Sequence, residues 1–174
     1  DTLKIVFSLI ENSTTPLVLD ADALNCVAKQ PEILLRKKAP IIITPHPGEM
    51  SRLTGLATPL VNAERERVAL DFAQKYGVVT VLKGAGTVIA SPNGKVLVNP
   101  TGNSGMATGG SGDVLAGMTA SILAQGASAF SSAAAAVYLH GLAGDIAAEK
   151  YGKISMLPTD LINCIPLAYK RCGF

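Results

Sequence analysis

"NPTGNSGMATGGSGDVLAG", Asn99 to Gly117, is the stretch on which the reading of this chain turns. It holds six of the chain's seventeen glycines and one charged residue, Asp113, which stands just before an apolar helical pattern. Glycines reach φ > 0 without a Cβ penalty and let backbone N–H groups come close to a ligand. A helix N-terminus adds free N–H groups and a partial positive charge, which together favour an anion such as phosphate. The same residues also read as a flexible loop followed by an Asp N-cap. The rest of the chain has to separate the two readings.

The bulk properties bound the answer. The chain has 174 residues, 48% of them hydrophobic, which suits one domain, 1–174, with a sizeable core. The formal net charge is +2, and the only basic cluster, Arg36-Lys37-Lys38, is short and lacks interleaved aromatics. It reads as a solvated helix end, so a nucleic-acid partner is disfavoured. Cys26, Cys164 and Cys172 are an odd number without metal-ligand spacing, and read as reduced thiols of a cytoplasmic protein. The Ala-rich run from Ala127 to Ala148 is interrupted by Ser, His, Gly and Asp, which marks a packed helix and not a membrane span. The chain opens at Asp1 directly on a helix-like pattern (Leu3, Ile5, Val6, Leu9, Ile10), so a partial or processed chain lacking upstream strands is expected.

Three apolar runs, "PLVLDA" (Pro16–Ala21), "PIIITP" (Pro40–Pro45) and "VVTVLKG" (Val78–Gly84), alternate with helical stretches. That pattern predicts a parallel sheet covered on both faces. The helices between are predicted at Ala23–Lys29, Gly48–Leu53 and Ala63–Tyr76, the last closed by Gly77. "TVIASPNGKVLVNP" then predicts two strands joined through Asn93-Gly94, an antiparallel hairpin. Three more helices are expected: Asp113–Gln125, Ser131–Glu149 and about Thr159–Tyr169. In open α/β sheets, ligands sit beyond the carboxyl ends of the strands. Asp20 and Asp22, Thr44-Pro45-His46, Lys83-Gly84 and the Gly-rich loop all fall there, and that convergence favours a functional reading.

"TPHPGEMSRLTG" (Thr44–Gly55) is a Pro-rich turn into a helix, and it brings His46 and Glu49 to the helix start. A carboxylate there can hold a Mg²⁺–water shell beside phosphates, and a neutral imidazole can donate to or accept from a substrate. "LKGAGTVIA" (Leu82–Ala90) adds a glycine turn with a lysine, a compact charge for phosphate. Asp22 reads equally as a helix cap or as part of the site lining. His140 reads as packed, and Met106 as filler beside the loop.

Together "TPHPGE", "VLKGAGTVIA" and "NSGMATGGSGDVLAG" resemble the ribokinase-like superfamily, and more closely its ADP/ATP-dependent NAD(P)H-hydrate dehydratases. "LDADALN" (Leu19–Asn25) and "YLHGLAGD" (Tyr138–Asp145) extend the resemblance over nearly the whole chain. It implies a three-layer α/β/α sandwich, mostly parallel with an antiparallel hairpin, of which this chain is the C-terminal portion. It also implies a carbon–oxygen lyase that repairs hydrated NADH or NADPH (NADHX or NADPHX), using ADP or ATP with Mg²⁺ to activate the ring hydroxyl. By the same resemblance, Lys83, Gly84, Ala85, Gly86 and Thr87, with Gly112, contact the nucleotide; Thr108, Gly109, Gly110 and Ser111 are expected to join them, because backbone amides and a helix N-terminus converge there. His46 and Asp113 contact the hydrate, Asp113 is the base, and Glu49 is assigned to Mg²⁺ through water. A homo-oligomer is the family expectation. A small-molecule kinase of the same superfamily, acting on a vitamin precursor or sugar, and an inactive nucleotide-binding fragment are the competing readings.

Overall fold

The computed structural model describes residues 1–173. In chain order these form α1 (Thr2–Asn12), β1 (Leu17–Leu19), α2 (Asp22–Val27), a 3₁₀ turn (Pro31–Arg36), β2 (Ile41–Ile43), α3 (Pro47–Thr54), α4 (Thr58–Ala63), α5 (Arg65–Tyr76) and β3 (Val79–Leu82). There follow β4 (Val88–Ala90), β5 (Val96–Val98), a 3₁₀ turn (Ser104–Met106), α6 (Ser111–Ala124), α7 (Ala129–Tyr151) and α8 (Pro158–Arg171).

The strands make one sheet in the order β1-β2-β3-β4-β5. β1–β2 and β2–β3 pair in parallel, while β3–β4 and β4–β5 pair antiparallel. Antiparallel pairing thus begins one strand before the expected hairpin, because a short glycine turn joins β3 to β4 and leaves no room for a crossover helix.

Successive side chains along a strand point to opposite faces, and here both faces are apolar. Ile41, Ile43, Leu82, Val88 and Ala90 face a core shared with α1 to α5, through residues such as Ile10, Val27, Met50 and Phe72. Ile42, Val79, Val81 and Ile89 face a second core built from α6, α7 and α8, including Leu115, Val137 and Leu161. The result is the expected three-layer sandwich. No helix among the described residues is long and apolar enough to cross a membrane.

Three local expectations are corrected. The helix predicted over Ala63–Tyr76 starts two residues later, as α5, because Glu64, at φ −125° and ψ 41°, is not helical and separates it from α4, a helix the sequence reading did not expect. α6 begins at Ser111 with Gly110 as its N-cap at φ +96°, so Asp113 is the third helical residue and not the cap. α2 is capped by Ala21, at φ +49°, and Asp22 is already inside the helix. Neither aspartate is a helix cap.

Candidate functional site

Because β1, β2 and β3 run side by side in one direction, the residues that follow them share one edge of the sheet. There the Lys83 ammonium lies 2.6 Å from Asp20 Oδ1 and 3.9 Å from Glu49 Oε2. The backbone ties the three ends together: Thr44 N–H donates to Leu19 O, and Lys83 N–H donates to Pro45 O at 2.8 Å. All three charged side chains are largely covered, Glu49 most of all, so their pairing is less screened than a surface ion pair.

His46 is the N-cap of α3. Its Nδ1 accepts from the amides of Gly48 (3.0 Å) and Glu49 (3.3 Å), and Glu49 Oε2 accepts the His46 N–H at 2.7 Å. This is a capping box with an imidazole in the Ser/Thr position. An Nδ1 that accepts must be unprotonated, which places the proton of the neutral ring on Nε2. Nε2 lies 3.6 Å from Glu49 Oε1, on a side chain that is half exposed. The imidazole therefore offers a donor to a ligand, which narrows the sequence reading of donor or acceptor.

The turn from Lys83 to Thr87 is glycine-dependent, with Gly84 at φ +141° and Gly86 at φ +63°. Thr87 Oγ1 donates to Gly84 O, while the amides of Gly84, Ala85 and Gly86 find no acceptor among the described residues. Behind the turn lies the Arg65 guanidinium, whose Nη2 donates to the carbonyls of Leu82 (2.8 Å), Lys83 (3.3 Å) and Gly86 (3.5 Å). Burial pushes its pKa down. A cavity of about 490 Å³ lies alongside, lined by Asn62, Arg65, Ala85, Gly86, Val88 and Val98.

The Gly-rich loop meets this turn at Gly112. A methyl group placed there would sit 3.6 Å from Lys83 Nζ and 4.0 Å from Asp20 Oδ2. The amides of Gly109, Gly110, Gly112 and Asp113 also lack an acceptor among the described residues, as helix N-terminal donors do. The two glycines differ in kind: Gly110 needs its positive φ, whereas Gly112 is an ordinary helical residue at which a methyl group would make only van der Waals contact with Lys83 and Asp20. The Asp113 side chain is exposed and makes no hydrogen bond or ion pair among the described residues.

α7 carries the loop. Asn99 and Thr101 donate to the carbonyls of Val137 and Tyr138, Asn103 donates to Gly144 O, and Asp145 accepts from Gly102 N–H and Asn103 Nδ2. His140 Nε2 lies 2.9 Å from Ser111 O, and since a carbonyl only accepts, Nε2–H is the donor. Burial holds the His140 pKa down to about 4 against a smaller upward effect of that bond, so the ring is neutral and structural.

The structure therefore brings Asp20, His46, Glu49, Lys83 and Gly112 together, with Thr108 to Ser111 and Asp113 at the rim. Sequence reasoning missed Arg65 and the anchoring part of Asp145 and Asn103. Arg65 sits among the charged residues of "ERER" and looks like its solvated neighbour Arg67. Asp145 carried a signal, since glycines at 141 and 144 of the same helix mark a close backbone approach. No three His, Cys, Asp or Glu side chains cluster in a metal-binding group among the described residues.

Comparison with known proteins follows the same lines. The sequence profile of the family described as NAD(P)H-hydrate dehydratase matches residues 1–167. A bifunctional NAD(P)H-hydrate repair enzyme of Moorella thermoacetica is 45% identical over 98% of this chain and 32% of its own length. The crystal structure of an ADP/ATP-dependent NAD(P)H-hydrate dehydratase from Bacillus subtilis, co-crystallised with ATP and Mg²⁺, superimposes with a TM-score of 0.84 at 36% identity, over 93% of this chain and 57% of that one. A ribokinase-like superfamily protein from Enterococcus faecalis gives 0.80 at 30% identity, over 97% and 58%. The chain thus has the ribokinase-like fold, and it spans between about a third and three-fifths of these relatives' lengths.

Proposed function

From the premise that this chain belongs to the NAD(P)H-hydrate dehydratase family, we propose that it takes part in the nucleotide-dependent dehydration of hydrated NADH or NADPH. The observation that carries the reading is the meeting of two sets of free backbone amides, those of Gly84, Ala85 and Gly86 and those of Gly109, Gly110, Gly112 and Asp113, beside Lys83 and an uncommitted carboxylate, Asp113. Such donors suit the terminal phosphate of ADP or ATP. The amides of the turn and of α6 orient the phosphate in line with the ring hydroxyl. Asp113 takes the hydroxyl proton as oxygen attacks phosphorus, and the nucleotide leaves one phosphate shorter. Breaking the ring C–O bond then expels phosphate, and loss of a ring proton restores the double bond. His46 Nε2–H is the donor that orients the hydrate.

The carboxylates of Asp20, Glu49 and Asp113 outnumber Lys83 here, so a phosphate would enter with a cation. Mg²⁺ supplies neutralisation of phosphate charge when bound. Glu49 fits it through water: Oε2 is engaged by the His46 amide, and Oε1 makes no hydrogen bond among the described residues. The same reading takes the working protein as a cytoplasmic homo-oligomer, in keeping with three free cysteines and apolar side chains exposed on α8, Ile162 and Leu167.

The test is incubation with hydrated NADH or NADPH and either ADP or ATP, with Mg²⁺, following the return of reduced-nicotinamide absorbance. Nucleotide-dependent recovery is expected. Nucleotide binding without recovery in the full-length protein overturns the dehydratase assignment.

A further inference from the structure

We infer that Arg65 is a positioning residue for the nucleotide-contacting turn, an inference that rests on the nucleotide reading above. Two independent features single it out. Its guanidinium is partly buried with no carboxylate partner among the described residues, and its Nε is buried without any hydrogen-bond partner. Burying an unpaired charge is costly, and a helix could begin equally well with a neutral residue. The turn also leaves room for it: a methyl group at Gly84, itself at φ +141°, would lie 3.0 Å from Arg65 Nη1 and 3.2 Å from Nη2, so a side chain there would push the guanidinium back by a few tenths of an ångström.

Peptide geometry supplies the mechanism. In a trans peptide the C=O and the following N–H point in opposite directions. Arg65 draws the carbonyls of Leu82, Lys83 and Gly86 to one side, which turns the paired N–H groups to the other. The first of them shows the result, since Lys83 N–H reaches across to Pro45 O. The Gly84 N–H, paired with the Lys83 carbonyl, is thereby presented away from the guanidinium as a free donor. Arg65 touches no substrate in this account; it sets the direction of donors that do. The break between α4 and α5 at Glu64 leaves Arg65 as the first residue of α5.

All three carbonyl bonds leave from one nitrogen, Nη2, whose place is set by the rigid guanidinium plane; a compact ammonium on a flexible stem does not hold that place, and this separates positioning from mere electrostatics. Arg65→Lys and Arg65→Ala are compared with the wild-type protein by ADP and ATP titration calorimetry, steady-state kinetics and thermal melting. The expected result is nucleotide affinity weakened by about tenfold or more in both variants, a raised KM for nucleotide, an unchanged KM for the hydrate, and partial restoration of Arg65→Ala by guanidinium ion. Arg65→Lys keeps the alkyl stem and charge, so it reports even where Arg65→Ala fails to fold. Wild-type nucleotide affinity in folded Arg65→Lys overturns the inference and leaves the proposed function standing. A wild-type protein that binds no nucleotide removes both.

Discussion

The two loops that meet at Gly112 are held from behind in different ways. The turn after β3 is braced by one charged side chain, Arg65, reaching three carbonyls. The Gly-rich loop before α6 is braced by a whole helix face, in which α7 offers carbonyls at 137, 138 and 144, the Asp145 carboxylate and the neutral His140 ring. Both braces engage backbone or polar groups on the inner side and leave amides free on the outer side. One bears on a single residue, and the other is distributed over two turns of close packing. A point change should therefore disable the first through ligand affinity and the second through stability. Asp113 belongs to neither brace.

That independence makes Asp113 the sharpest test. Because Gly110 caps α6, Asp113→Asn leaves the cap, both braces and the amide donors in place. Only the basic oxygen is lost, and general-base loss commonly costs about 10²–10⁴-fold in rate. Turnover of the hydrate is expected to fall by that factor, with ADP or ATP affinity equal to wild type or slightly higher as a negative charge is removed. Rapid-quench or steady-state rates beside calorimetry decide it, and near-normal turnover removes Asp113 as the base.

The α7 brace carries a pH signature. His140 titrates at about 4 when folded and near 6.5 unfolded. Between these values the unfolded chain binds more protons, so stability rises with pH through that window. Full stability is expected above about pH 6.5, with a loss approaching about 3 kcal/mol by pH 4 from this residue alone. His140→Gln keeps an N–H donor for Ser111 and cannot titrate. Denaturant unfolding at pH 7, 5.5 and 4.5 should show a shallower pH slope for the variant, and parallel slopes would contradict the role given to His140.

Packing in the same brace is tested by Gly141→Ala. The added methyl would sit 2.8 Å from the Thr101 carbonyl carbon, backbone that cannot swing aside. Overpacking of this kind typically costs about 1–3 kcal/mol, and thermal or denaturant melts should register it. If the comparison of the two braces holds, nucleotide affinity of the folded variant changes less than in Arg65→Lys.

These contrasts show where the sequence was transparent. The parallel strands, the hairpin at Asn93-Gly94 and the end of α5 at Gly77 could be read because apolar runs and glycine turns are local signals. The glycine loops were legible for the same reason. Helix starts were read less well: Asp22 and Asp113 carry cap chemistry, yet Ala21 and Gly110 are the caps, because left-handed backbone at those positions turns the chain before the acid is reached. The braces were opaque since they join residues far apart in sequence. Arg65 meets Leu82 and Asp145 meets Gly102 only once the sheet has formed.

His46 sits outside both loops and gives the smallest expected effect on stability, yet it separates cap from contact. Its Nδ1 satisfies two α3 amides, while Nε2–H makes no hydrogen bond among the described residues and lies 3.6 Å from Glu49 Oε1. His46→Ala removes both functions, with a cap loss of about 1 kcal/mol in the melt. His46→Asn restores a cap, since an amide oxygen accepts from the same backbone donors, but its short side chain does not extend to where Nε2 lies. A substrate contact therefore predicts that both variants bind the hydrate more weakly and bind ADP or ATP as wild type does. Stability should be lost in His46→Ala alone. Should His46→Asn recover hydrate affinity together with stability, His46 acts only through the start of α3, and the hydrate is oriented by another donor.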